Sequence, residues 1–159
     1  MRKLKLYLET SVWNFYFADD APEKKEITKE FFDLVFKGAY DIYISKVVVD
    51  EIIKAPEKKK TGLLSLIEKC SPQDIEVNEE VEILAERYIE RGIVPAKKKE
   101  DAMHVGVATV AEMDVIVSWN YKHLANVKKE ELFYMVNLEQ GYKKLIEITT
   151  PMGVITDES

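Results

Sequence analysis

Five short β-type runs, at residues 4–8 (LKLYL), 41–44 (DIYI), 75–77 (IEV), 115–117 (VIV) and 146–148 (IEI), alternate with helix-length stretches along this chain. No other feature limits the fold as much. Strands joined through helices cannot pair as tight hairpins. They lie parallel in one sheet, and the crossover helices cover both of its faces. The expected fold is α/β, a three-layer α/β/α sandwich with a central, mainly parallel sheet.

The residues between the runs agree with this reading. Asp19, Asp20 and Pro22 open a helix that carries Ile27, Phe31, Leu34 and Val35 on one face and stops at Gly38. Ser45 is placed to cap a helix bearing Val47, Val48, Glu51 and Ile52, which Pro56 ends. Helices are also expected over residues 57–69, from Asn78 to Arg91, from about Glu100 to Asp114, and over 130–142. Residues 12–17 begin a helix or a packed loop. No repeat or linker divides the 159 residues, so the expectation is one domain over 1–150, with 151–159 as a C-terminal tail.

Bulk properties narrow the function. A single cysteine, Cys70, rules out an internal disulfide and suits a reducing, cytoplasmic setting. The basic start MRKLK leads into an apolar run that Glu9 breaks, too short for a signal peptide. No apolar run approaches the roughly 20 residues of a membrane span. The net charge of −6 argues against a broadly basic nucleic-acid binder. It is compatible with a nuclease, because clustered metal-binding carboxylates themselves lower net charge.

Four polar residues fall where such a sheet would bring them together. Glu9 follows the first strand, Glu51 lies on the helix after the second, Asp101 opens the helix before the 115–117 strand, and Asn120 follows that strand. In parallel α/β sheets, ligands bind at the carboxyl ends of the strands. Carboxylates gathered there repel one another, and a hard divalent cation, Mg2+ or Mn2+, relieves that repulsion. Each position also has a plainer reading: Glu9 as a solvated turn residue, Asp101 as a favourable charge at a helix start. Glu51 is the most pointed, because its helix is otherwise apolar and a carboxylate there needs a partner.

With these positions in hand, the chain resembles the PIN-domain family, and within it toxins of the VapC type. The resemblance rests on Leu8-Glu9-Thr10-Ser11, on 45–51 with Ile52, on Asp101-Ala102 followed by Ala108-Thr109, and on Val117-Ser118-Trp119-Asn120, over 4–148. It implies a PIN-like fold and a metal-dependent endoribonuclease in which Mg2+ or Mn2+ activates a water for attack on phosphate. Glu9, Glu51, Asp101 and Asn120 would be the metal-binding and catalytic set. It further implies an RNA substrate, an antitoxin partner in a toxin–antitoxin pair, and a homodimer. Two positions depart from the family pattern. Glu9 stands where Asp is usual, and its extra methylene is expected to carry the carboxylate outward. Asn120 stands where Asp is frequent and adds an amide oxygen without charge.

Thr10, Ser11, Lys97, Lys98, Lys99 and Lys122 are candidates to hold a phosphate or the RNA backbone. The solvated charge run is the plainer reading for the lysines. His104, three residues after Asp101, reads as a buried, hydrogen-bonded structural histidine, with a general base as its rival. A non-catalytic RNA- or protein-binding module is the alternative function. A phosphoryl-transfer enzyme is weaker, since no P-loop pattern occurs.

Overall fold

The five runs become β1 (Lys5–Leu8), β2 (Asp41–Ser45), β3 (Gln73–Ile75), β4 (Val115–Val117) and β5 (Glu147–Thr149). The structure, a computed structural model, describes residues 2–158. The strands form one parallel sheet in the order β3-β2-β1-β4-β5. Leu6, Tyr7 and Leu8 are fully buried at its centre, as a strand covered on both faces requires. Burying each such apolar side chain contributes about 1.5–3 kcal/mol.

The flanking helices are α1 (Thr10–Phe15), α2 (Pro22–Phe36), α3 (Lys46–Ile53), α4 (Glu57–Cys70), α5 (Glu79–Glu90), α6 (Lys99–Val110), α7 (Val127–Glu139) and α8 (Pro151–Glu158), with a 3-10 turn at Ala96–Lys98. The three-layer α/β/α arrangement is PIN-like. Helix α6 is buried on every side from Asp101 through Thr109, so it has no amphipathic stripe. It packs against α5, and the missing side chain of Gly106 allows this. A Cβ there would stand 3.1 Å from the Val81 carbonyl oxygen.

Several boundaries differ from expectation, and α6 ends at Val110, four residues short of Asp114. β3 starts two residues early. α7 starts at Val127 because the Asn126 side chain accepts from Lys129 N at 2.9 Å and caps it. The stretch read as a tail instead forms α8. Its Val154 is 3% exposed, and the helix packs on α2 and β5. Two elements far apart in sequence, α2 and β5, create that environment, so no local pattern announces it.

Candidate active site

The chain builds outward from β1 through β2 to β3, then returns to lay β4 along the other edge of β1. The connections therefore diverge between β1 and β4 and leave a crevice beyond their carboxyl ends. Leu8 pairs with Val117, so the next residues of each strand meet. Glu9 N donates to Val117 O at 3.1 Å, and Ser118 Oγ donates to Glu9 Oε1 at 2.8 Å. The same oxygen caps α1, accepting from Ser11 N at 3.1 Å and Ser11 Oγ at 2.5 Å. Glu9 is thus 5% exposed and curled back onto the helix start. Its extra methylene serves this capping geometry and does not carry the carboxylate outward.

Ser45 caps α3, its Oγ accepting from Val47 N at 3.2 Å, and the helix then presents Glu51 to the crevice. Glu51 Oε1 accepts from Thr10 Oγ1 at 2.7 Å and lies 2.6 Å from His104 Nε2. The other ring nitrogen, Nδ1, is 2.7 Å from the Tyr7 hydroxyl, which is 2.8 Å from Ser45 Oγ. A buried relay therefore runs from the cap of α3 through β1 and α6 back to α3. Burial pushes the Glu51 carboxyl upward, but the His104 and Thr10 hydrogen bonds outweigh it and hold the group below its ordinary range. Burial pushes His104 down, yet Glu51, Glu9 and Asp101 raise it above its ordinary range. The two shifts agree on a charged pair.

Asp101 sits in the first turn of α6, 8% exposed. Its carboxyl is pushed up to about 6, first by burial and then by the charge of Glu9, with Glu51 adding and His104 and Lys98 opposing. Asn120 Nδ2 is 3.5 Å from Asp101 Oδ2, while Asn120 Oδ1 accepts from His123 N at 3.0 Å. The backbone donor fixes the amide orientation, so Asn120 turns its NH2, not its oxygen, toward the acid.

Glu9, Glu51, Asp101 and Asn120 thus gather at one crevice. The tightest set of metal-capable atoms, within 4.8 Å of one another, is Glu9, Glu51 and His104. Both ring nitrogens of His104 already face partners, so it orients Glu51 more readily than it opens a coordination position. Thr10 and Ser11 lie beside the acids, with Thr10 Oγ1 on Glu51 and Ser11 Oγ bridging Trp119 N to Glu9. Ser118 is a crevice residue that the sequence hardly announces. Its only signal there is a serine directly after an apolar strand.

Lys97, Lys98, Lys99 and Lys122 are exposed. Lys99 and Lys54 line a cleft of about 190 Å3 together with the acidic Asp50, Glu51 and Glu100. Burial first, then the charges of Lys122, Lys129, Lys98 and Lys97, hold His123 below its ordinary range. Lys97, Lys98, Lys122 and Lys129 therefore cluster around His123, with Lys98 also felt by Asp101.

This fold and crevice define a PIN-like α/β protein with an acidic cluster at the sheet's switch point. It is structurally similar to a chain of VapBC2 from Rickettsia felis, solved bound to a DNA fragment from their promoter, with 14% identity over 91% of this chain and 98% of that one and a TM-score of 0.54. It is also similar to a chain of VapBC-1 from nontypeable Haemophilus influenzae, with 12% identity, 94% and 99% coverage and a TM-score of 0.57. At these identities the likeness is one of fold. No family model and no curated protein matches the sequence. Among the described residues no helix is long and apolar enough to cross a membrane.

Proposed function

We propose that the protein is a metal-dependent endoribonuclease of PIN type and the toxin of a toxin–antitoxin pair. The observation that carries this reading is the gathering of three carboxylates, Glu9, Glu51 and Asp101, at one largely buried crevice beyond β1 and β4. Burial first, then the charge of Glu9 with Glu51 adding, raises the Asp101 carboxyl, an electrostatic state that a divalent cation relieves. The donor set fits Mg2+ or Mn2+, with carboxylate oxygens from Glu9, Glu51 and Asp101. Such a cation would supply Lewis acidity at phosphate and a nucleophilic water at neutral pH. The chain's own contribution is positional. Ser11 and Ser118 hold Glu9, and Thr10 and His104 hold Glu51. Asn120 offers an NH2 near Asp101, and Lys97, Lys98, Lys99 and Lys122 would take the RNA backbone.

The likeness to chains of VapBC complexes supports an antitoxin partner. Exposed Met135 and Leu138 on α7 offer apolar surface for a second copy in a homodimer. Divalent-dependent cleavage of single-stranded RNA by the wild type, lost with chelator and in Asp101→Asn, is the expected result. Equal cleavage by both proteins, or cleavage indifferent to chelator, would refute the assignment.

One observation favours the alternative of a non-catalytic RNA- or protein-binding module. The Asn120 oxygen is committed to His123 N, which removes one neutral ligand from the crevice. Under that reading calorimetry with millimolar Mn2+ gives no binding.

A further inference from the structure

Beside the crevice, three aromatic rings surround one ammonium group. Lys24 Nζ on α2 stands 5.3 Å from the ring centre of Phe15, 5.5 Å from Trp119 and 5.4 Å from Tyr121. The rings contact one another, Phe15 to Trp119 at 5.9 Å and Trp119 to Tyr121 at 6.3 Å. Trp119 is the fixed floor. It is 5% exposed, with its Nε1 donating to Thr28 Oγ1 at 2.9 Å and its backbone N to Ser11 Oγ at 2.8 Å. Tyr121 is the open wall, 51% exposed. The ring faces hold the cation in place.

Placement gives this group its meaning. Trp119 and Tyr121 flank Asn120, and the serine hydroxyl that receives the Trp119 amide also donates to Glu9. A held ammonium and a solvent-facing ring, adjoining a crevice proposed to cleave phosphodiesters, complement a single-stranded nucleotide: a π-face for the base and a cation for its phosphate. On a chain of net charge −6, a cation fixed among these rings favours admission of a polyanion.

We infer that Lys24 and Tyr121 form a nucleotide-binding subsite, with a base stacked on the exposed ring of Tyr121 and the adjoining phosphate on Lys24. The inference rests on the ribonuclease reading and adds a recognition element to it.

The test is fluorescence anisotropy with a short, labelled single-stranded RNA and Mg2+, in an Asp101→Asn background that spares the RNA. Tyr121→Ala is expected to weaken binding about tenfold, and Tyr121→Phe to retain it. Lys24→Gln is expected to weaken binding and to flatten the log-log salt dependence by roughly 0.7, one single-strand phosphate contact. An abasic nucleotide is moved through the oligonucleotide. At one position its loss and the Tyr121→Ala loss must fail to add. Undiminished binding by Tyr121→Ala, or additivity at every position, overturns the subsite and leaves the ribonuclease reading standing. Absence of RNA binding by every protein overturns both.

Discussion

His104 Nε2, fully buried on α6, lies 2.6 Å from Oε1 of Glu51 on α3. This pair joins two helices whose contacting residues are 53 positions apart in sequence and aims a carboxylate into the crevice. His104→Ala leaves Glu51 without its cation and the Tyr7 hydroxyl without its imidazole partner, and is expected to cost about 2–3 kcal/mol. Urea unfolding measures it, and a loss under about 0.5 kcal/mol would show that the pair adds nothing beyond an ordinary surface contact.

The pair also sets a pH window. Glu51 is depressed on folding, so its contribution is present above its ordinary value of 4.5 and lost as pH falls through the depressed one. His104 is raised, so its contribution is complete below its ordinary 6.5 and lost as pH rises through the raised value. The stability gap between wild type and His104→Ala should therefore be widest between those two values. A gap independent of pH would contradict the charged pair.

Asp101 has the opposite sign to Glu51. Its carboxyl rises from 3.8 to about 6 on folding, so the native state binds the extra proton and stability falls as pH climbs through that interval. In chelator at about pH 8, Asp101→Asn should be more stable than wild type by about 1–2 kcal/mol, after allowing for solvent screening, and nearly equal to it near pH 4. A less stable variant at the higher pH would show that Asp101 is not under electrostatic pressure.

Mn2+ or Mg2+ should raise the Tm of the wild type, by an amount equivalent to about 2.7 kcal/mol at a hundredfold excess over Kd. Chelator should reverse the rise, and Glu51→Gln should abolish it. Thermal scans across a metal titration check this, and an unchanged Tm at millimolar metal would remove the support for a metal site.

At the opposite end of β4, Asp114 ties together the N-terminus, β1 and the loop before β5. It accepts from Arg2 at 2.7 and 3.1 Å and from Lys5 N at 2.8 Å, and Lys144 Nζ lies 2.9 Å away. The Arg2 hydrogen bond is the largest cause holding its carboxyl below the ordinary range. That stability is present above 3.8 and lost as pH falls through the depressed value. Because Arg2 is 64% exposed, Asp114→Asn should cost only about 1–2 kcal/mol, with RNA cleavage unchanged. A cleavage defect would mean that the two ends of the sheet are coupled.

Gly153 tests whether α8 belongs to the body of the fold. A Cβ there would overlap the Thr149 side chain, so Gly153→Ala should destabilise by about 1–3 kcal/mol. An unchanged unfolding midpoint would mean that α8 can lift away freely.

The alternation of β-type and helical runs was enough to place five parallel strands and their crossovers, because chain connectivity leaves such strands few arrangements. It also carried Glu9, Glu51, Asp101 and Asn120 to one edge, since Glu9 and Asn120 follow β1 and β4, Glu51 lies on the helix after β2 and Asp101 opens the helix before β4. The sequence could not show what each side chain does there. Glu9 curls onto α1 because Ser118, a hundred residues away, supplies a third donor. Asn120 turns its oxygen to His123 N, a choice made by loop geometry. His104 becomes the partner of Glu51 only because α3 and α6 pack together, and residues 151–158 become a helix only because α2 and β5 cover it. Periodicity records which residues are near in sequence and which face they share. Hydrogen-bond partners, carboxylate pressure and the burial of a final helix depend on contacts between distant segments, and only the tertiary structure brings those together.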